Sequence, residues 1–276
     1  MQVDSHAHVY GGPQYKFDPG ARFNPHPSQR GTPAQFRAVL HAHGFTHALV
    51  VAAQPYGRDN SAMLDAIAES GGRFKGIALV DPALSEKALE KLRDGGIVGF
   101  RVNLSSFGLR ELTEPGLDRF FAIARALGWF MQIHTVKDDL VPAADLVRKA
   151  NLPLLLDHFG RPEIAKGVGQ PGFQELLKLG REGKAVVKLS GPFRISQAGY
   201  PYADTDPFVQ AAIEAFGIQN CIWGSDWPFV PGDDRIDYGP QVATLLRWLP
   251  DPADRKAVLS DNPARLFGFA PLPVDA

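Results

Sequence analysis

One alternation, repeated along nearly the whole chain, limits what it can fold into. Short apolar runs lie at Val3–Val9, His47–Ala53, Phe74–Val80, Val98–Leu104, Phe130–Thr135, Pro153–Asp157, Ala185–Ser190 and Asn220–Gly224. Most are unbroken Val/Ile/Leu stretches, the pattern of parallel strands buried on both faces. Between them lie segments of helical period: Pro33–Gly44, Ser61–Gly71, Ser85–Gly95, Pro115–Gly128, Leu140–Ala150, Phe173–Gly183 and Asp206–Gly217. Several end on glycine, the usual helix stop. Thr32-Pro33 and Asp206-Pro207 read as N-caps followed by proline at the first helical position. Eight strand–helix repeats predict an α/β fold, a single (β/α)8 TIM barrel filling residues 1–276 as one domain. A doubly wound sheet would usually carry a glycine-rich phosphate turn after its first strand. Here the first strand runs into Gly11-Gly12-Pro13 instead.

Charge and composition exclude several classes. The formal net charge is −1, with no basic patch for nucleic acid or a membrane surface. No apolar run reaches the ~18 residues of a membrane span. No signal-peptide pattern opens the chain, and its single cysteine, Cys221, allows no internal disulfide. A cytoplasmic protein is expected, with Cys221 a buried core thiol. The sequence leaves homo-oligomerisation open.

Barrel enzymes place their active sites at the C-terminal ends of the strands. The first such end reads VDSHAHVY, and strand alternation puts Asp4, His6 and His8 on one face. Strand two leads to Gln54 and Tyr56, strand four to Arg101 and Asn103, and strand five to Gln132 and His134. Strand six gives Asp157, His158 and then Arg161; strand seven gives Lys188, Ser190 and then Arg194; strand eight ends at Asp226. Four of the eight histidines thus fall at one predicted end of one barrel. Strands one and eight meet when a barrel closes, so His6, His8 and Asp226 are expected together. Imidazole and carboxylate suit either a divalent metal site with an open position or a water-activating base with polar neighbours. The longest irregular stretch, residues 10–32, follows strand one and should lie over this site. Further insertions fall at Gly191–Thr205 and Pro228–Gly239.

The segments VDSHAH, LLDHFGRP, IWGSDWP and DNPARLFGF resemble the amidohydrolase superfamily, in its amidohydrolase-2 branch. The resemblance is nearest to the 2-pyrone-4,6-dicarboxylate lactonase group, with support from QPYGRDN, GFRVNL and VKLSGPFR. The matches run from residue 3 to residue 269. The resemblance implies a site built by His6, His8 and Asp226, with His134 as a further metal ligand. It implies that His158 faces the attacked carbonyl and that Arg101 and Arg194 hold substrate carboxylates, a task suited to the planar guanidinium. Tyr56, Asn103, Lys188 and Tyr202 are the remaining candidates for substrate contact. The resemblance admits two forms of the site: one holding a divalent metal, Zn²⁺ or Mn²⁺, and one working metal-free through Asp226. The pyrone-dicarboxylate enzymes carry a further basic residue after the strand-four Arg-x-Asn, where this chain reads SSFGLR. Monocarboxylated and sugar lactones therefore stand beside a dicarboxylated one.

The leading expectation is a hydrolase that opens an anionic lactone in aromatic or sugar catabolism. A metal-dependent decarboxylase of the same branch would instead release CO₂. A non-catalytic barrel that binds a small acid would turn nothing over.

Overall fold

Eight parallel strands pair strictly in sequence order: β1 (Val3–Ala7), β2 (His47–Val51), β3 (Phe74–Ala78), β4 (Ile97–Asn103), β5 (Phe130–His134), β6 (Leu154–Leu156), β7 (Ala185–Ser190) and β8 (Cys221–Gly224). The computed structural model describes residues 1–232 and 235–271. A sequential order has no point at which the winding reverses, so the doubly wound alternative is excluded. The sheet curls until β1 meets β8 through a parallel bridge between Ala7 and Trp227. His8 N donates to Trp227 O at 2.7 Å, and Asp226 N donates to His6 O at 2.8 Å. The result is a (β/α)8 barrel.

Eight main helices surround it: α1 (Pro33–Ala42), α2 (Ser61–Ala68), α3 (Glu86–Asp94), α4 (Leu117–Ala126), α5 (Leu140–Ala150), α6 (Pro171–Arg181), α7 (Asp206–Phe216) and α8 (Tyr238–Trp248). Each buries one stripe; in α7 this is Phe208, Val209, Ala212 and Phe216. Thr32 caps α1 as expected, accepting from Gln35 N while Gln35 Oε1 accepts from Thr32 N. Asp206 is not an N-cap. It is the first residue of α7, and its carboxylate takes Trp248 Nε1 at 3.0 Å and Arg247. Helix α8 was not among the expected helices; its Pro240 falls in the first turn, where proline is tolerated. The expected insertion at 228–239 includes residues 233 and 234, which lie outside the described residues.

The barrel interior is apolar at one end and polar at the other. Val3, Leu49, Val51, Ile77, Phe130, Leu155, Val186 and Ile222 pack together, joined by Phe267 and Phe269 from the tail. The tail is held by Asn262 Nδ2, which donates to Ile218 O and Cys221 O at 2.8 Å. Cys221 is buried, as expected. Toward the strands' C-terminal ends the inward residues become His6, Gln132, Asp157 and Lys188, all fully buried.

The strand-one alternation needs a correction. The β1–β2 register shifts between Asp4 and Ala7. Val3 packs in the barrel interior, whereas Ala7 packs in the layer between barrel and helices. The shift therefore takes Asp4 off the face of His6 and His8. Asp4 becomes the clamp that closes the barrel. It accepts from Ser225 N (2.9 Å), Ser225 Oγ (2.6 Å), His6 N (3.1 Å) and the Tyr238 hydroxyl (3.0 Å). At the same seam, a Cβ on Gly224 would lie 2.5 Å from the His6 backbone nitrogen, so only glycine lets the two strands approach this closely.

Burial pushes the Asp4 carboxyl up to about 6, against the pull of its hydrogen bonds. The folded state therefore holds this proton more tightly than the unfolded chain does. Stability tied to Asp4 is full below its unfolded value of 3.8 and is lost as pH rises through about 6. Asp4→Asn keeps an acceptor for the Ser225 amide and cannot ionise. Relative to wild type it should gain roughly 3 kcal/mol of stability between acid and neutral pH, read from urea midpoints at each pH. A difference that stays constant with pH would show that Asp4 ionises without penalty.

Candidate active site

The loops at the C-terminal ends of the strands enclose a cavity of about 200 Å³, below the ~300–1,000 Å³ that drug-sized ligands occupy. Its floor and walls are His8, Arg101, Asn103, His134, His158, Arg161, Arg194 and Asp226. The 10–32 loop covers it with Tyr10, Arg22 and Phe23, as its place after strand one predicts.

Asp226 is the centre. It follows β8 with φ of 63°, a left-handed conformation that Asp tolerates better than most residues. Its Oδ1 lies 3.7 Å from His6 Nε2 and 3.6 Å from His8 Nε2. Its Oδ2 accepts from Arg194 Nε at 2.7 Å and lies 3.9 Å from His158 Nε2. Burial alone would raise this carboxyl, but Arg194, His158 and the strand-one histidines outweigh it and hold it well below the usual range. His6 Nε2, His8 Nε2 and one Asp226 oxygen lie within 4.8 Å of one another, a spacing that could hold a metal ion.

His158 and Arg161 reach the cavity through one unusual turn. His158, Phe159, Gly160 and Arg161 all have positive φ, between 37° and 81°. Left-handed backbone costs about 1–2 kcal/mol per ordinary residue, so the surroundings must enforce it. Phe159 is fully buried, and Gly191 leaves the room His158 needs: a Cβ there would sit 2.8 Å from His158 Nδ1. His158 Nδ1 is 2.8 Å from the Ser190 hydroxyl, with Nε2 toward Asp226. Burial keeps the ring well below its ordinary pKa and so neutral.

Beneath the cavity lies a buried polar network. Lys188 Nζ donates to Gln132 Oε1 (2.6 Å) and His6 Nδ1 (3.1 Å) and is 3.4 Å from Asp157 Oδ1. Asp157 Oδ2 accepts from Arg101 and from Gln132 Nε2, each at 3.0 Å. Burial would raise Asp157, but His6, Lys188 and Arg101 together hold it well below the usual range. Burial brings Lys188 down to about 8 and, with the nearby Lys188 charge, His6 down to about 3.

Several expected residues stand elsewhere. Lys188 does not line the cavity, because its ammonium is spent within the barrel. Tyr56 anchors the first loop instead, its hydroxyl accepting from Gly11 N at 3.0 Å. Tyr202 is buried against Gln241, away from the cavity. Asn103 lines the wall, but its Oδ1 caps the following turn at Ser106 N and Ser105 Oγ. His134 stands apart from the other ring ligands. Its Nε2 takes Arg161 Nη1 at 3.3 Å and its Nδ1 faces Ser105 Oγ at 3.1 Å. Arg194 spends its remaining nitrogens on Pro231 O and Val230 O. Arg101 pairs with Asp157 below, though it still borders the cavity.

Two guanidiniums at the cavity have no carboxylate partner among the described residues. Arg161 touches only His134 there, and Arg22 donates to Ser106 O and lies over the Phe107 ring. Neither was expected at the substrate. Arg161 was visible as the last charge of LLDHFGRP, three residues past His158; Arg22 carries no signal beyond its place in the long loop.

A family model described as Amidohydrolase matches residues 3–269. The chain is 34% identical to a 4-sulfomuconolactone hydrolase of Rhizobium radiobacter, over 96% of its length and 89% of the relative's. It is 33% identical to a 2-pyrone-4,6-dicarboxylate hydrolase of Comamonas testosteroni, with the same coverage. A crystal structure described as a probable 2-pyrone-4,6-dicarboxylic acid hydrolase of Acinetobacter baumannii, with citric acid bound, superposes with a TM-score of 0.87. It shares 30% identity over 97% of this chain and 99% of that one.

Proposed function

Starting from a chain that belongs to the amidohydrolase family, we propose that this hydrolase opens a small anionic lactone by attack of water. The observation that carries the reading is one ionised carboxylate, Asp226, ringed by the Nε2 atoms of His6, His8 and His158 in a cavity walled by guanidiniums. The relatives named as lactone hydrolases support it.

The steps follow from which groups accept and which donate. A water between Asp226 Oδ1 and His8 Nε2 would give a hydrogen to each. As its oxygen bonds to the lactone carbonyl carbon, Asp226 takes a proton. His158 Nδ1 pairs with the Ser190 hydroxyl at 2.8 Å; in the tautomer where Ser190 donates this hydrogen, Nε2–H would face the developing oxyanion. The tetrahedral carbon then expels the ring oxygen, which receives the proton from Asp226. The product is an open-chain acid with one new hydroxyl. Arg161 and Arg22 bind the substrate's acidic group, since charge-assisted guanidinium bonds suit a carboxylate or sulfonate.

The three-ligand spacing would fit a divalent ion by distance, but the donors around it do not favour one. His6 Nδ1 faces the Lys188 ammonium, Asp226 Oδ2 is held by Arg194, and His134 Nε2 is held by Arg161. We therefore read the hydrolysis as metal-free, with Asp226 the only base that the cavity needs.

Asp226→Asn suits the left-handed backbone and should keep the fold, while kcat falls ~10³-fold, the scale of losing a general base. Near-wild-type turnover in that variant would reject the mechanism. Acid release from a panel of anionic lactones should survive a strong chelator. Release that chelator abolishes and Zn²⁺ or Mn²⁺ restores would make the histidines ligands. Inertness to every lactone, with CO₂ released from an aromatic acid, would favour decarboxylation. Arg161→Gln should raise KM for the anionic lactone ~30-fold, about 2 kcal/mol of charge-assisted bonding, with kcat little changed. An unchanged KM would place the substrate's charge elsewhere.

A further inference from the structure

We propose that Lys188 fixes the tautomer of His6, making it a hydrogen-bond donor into the cavity and closing the His6–His8–Asp226 cluster to a divalent cation. This deepens the metal-free reading above and gives it a single structural cause.

An ammonium has three donors and no acceptor. Lys188 is fully buried on β7 and has two hydrogen-bond acceptors, Gln132 Oε1 at 2.6 Å and His6 Nδ1 at 3.1 Å, with the Asp157 Oδ1 charge 3.4 Å away. The Gln132 amide cannot turn to relieve it, because its Nε2 is already donated to Asp157 Oδ2. Asp157 Oδ1 lies 3.2 Å from His6 Nδ1 but without hydrogen-bond alignment, so the ring nitrogen belongs to the lysine. His6 Nδ1 is thus an acceptor, and the ring's one hydrogen sits on Nε2. That Nε2 is buried, has no hydrogen-bond partner among the described residues and lies 3.7 Å from Asp226 Oδ1.

His8 has the opposite polarity. Its Nδ1 lies 2.9 Å from the Val51 carbonyl oxygen, which can only accept, so the hydrogen is on Nδ1 and Nε2 offers a lone pair. Two histidines two residues apart therefore face one carboxylate as a donor and an acceptor. This set suits a water or an oxyanion. A metal ion needs a lone pair from both rings, and Lys188 removes one of them. The Arg161–His134 contact does the same to the strand-five ring.

The test reads ring hydrogens and metal uptake, neither of which needs turnover, so it can fail separately from the lactonase reading. In wild-type protein with ¹⁵N-labelled histidine, the His6 ring, assigned through His6→Gln, should be protonated at Nε2 and bare at Nδ1. Lys188→Met keeps the length and removes the donors. In that variant the hydrogen should move to Nδ1, facing Asp157, and Zn²⁺ should bind ~100-fold more tightly, at the upper end of what partners behind a ligand contribute. Lys188→Gln, which keeps a donor, should behave as wild type. Wild-type Nδ1 protonation, or equal Zn²⁺ affinity in wild type and Lys188→Met, overturns the proposal. If Lys188→Met does not fold, the wild-type ring spectrum decides alone.

Discussion

Closure at the β1–β8 seam is the constraint on which the site depends. Here the backbones join through one bridge and two bonds, whose donors are His8 and Asp226 themselves. The residues that close the barrel are therefore the residues that act in it, or their immediate neighbours. Asp4 holds the seam from the outer face, where Ser225 and Tyr238 meet it, while Gly224 permits the approach. The same register shift that turns Asp4 outward turns His6 inward. One irregularity in one strand thus supplies both the clamp and a histidine of the site.

Behind the seam, Asp157 fulfils a second structural task. It gathers Arg101, Gln132, Lys188 and His6 into a buried network in which one carboxylate faces two cations. Removing one member of a buried ion pair typically costs ~3–5 kcal/mol, because a charge is left without its partner. Within the network Lys188 Nζ meets His6 Nδ1 at 3.1 Å, which leaves His6 Nε2 on the Asp226 side.

Most of the architecture is legible in the sequence because its signals are local. Apolar runs mark all eight strands, and Thr32-Pro33 marks the start of α1. The convergence of His6, His8, His158 and Asp226 follows from strand order and barrel closure. What sequence reasoning misplaced depends on longer-range facts. The Asp4 assignment failed because alternation assumes an unshifted register. Tyr56 and Tyr202 follow strands two and seven in the chain, yet Tyr56 is drawn to Gly11 of the first loop and Tyr202 to Gln241. Lys188 has the inward phase expected of β7 but meets Asp157 and Gln132 before it can reach the cavity. Arg194 lines the cavity as expected, with three of its five N–H donors already given to Asp226 and two backbone carbonyls. Arg161 joins it at the cavity because four residues in a row adopt left-handed backbone, which no spacing rule anticipates.

The first loop brings Arg22 over the cavity and contributes none of the groups around Asp226. It is fastened to the barrel mostly by its own contacts, at Tyr56, Pro55 and Gly232. His158 and Arg161, by contrast, share one turn and cannot vary independently. On the proposed reading, one anion contact is thus welded to the chemistry and another sits on a separate loop. A lineage could exchange that loop to accept a differently charged ring while inheriting the hydrolytic centre intact.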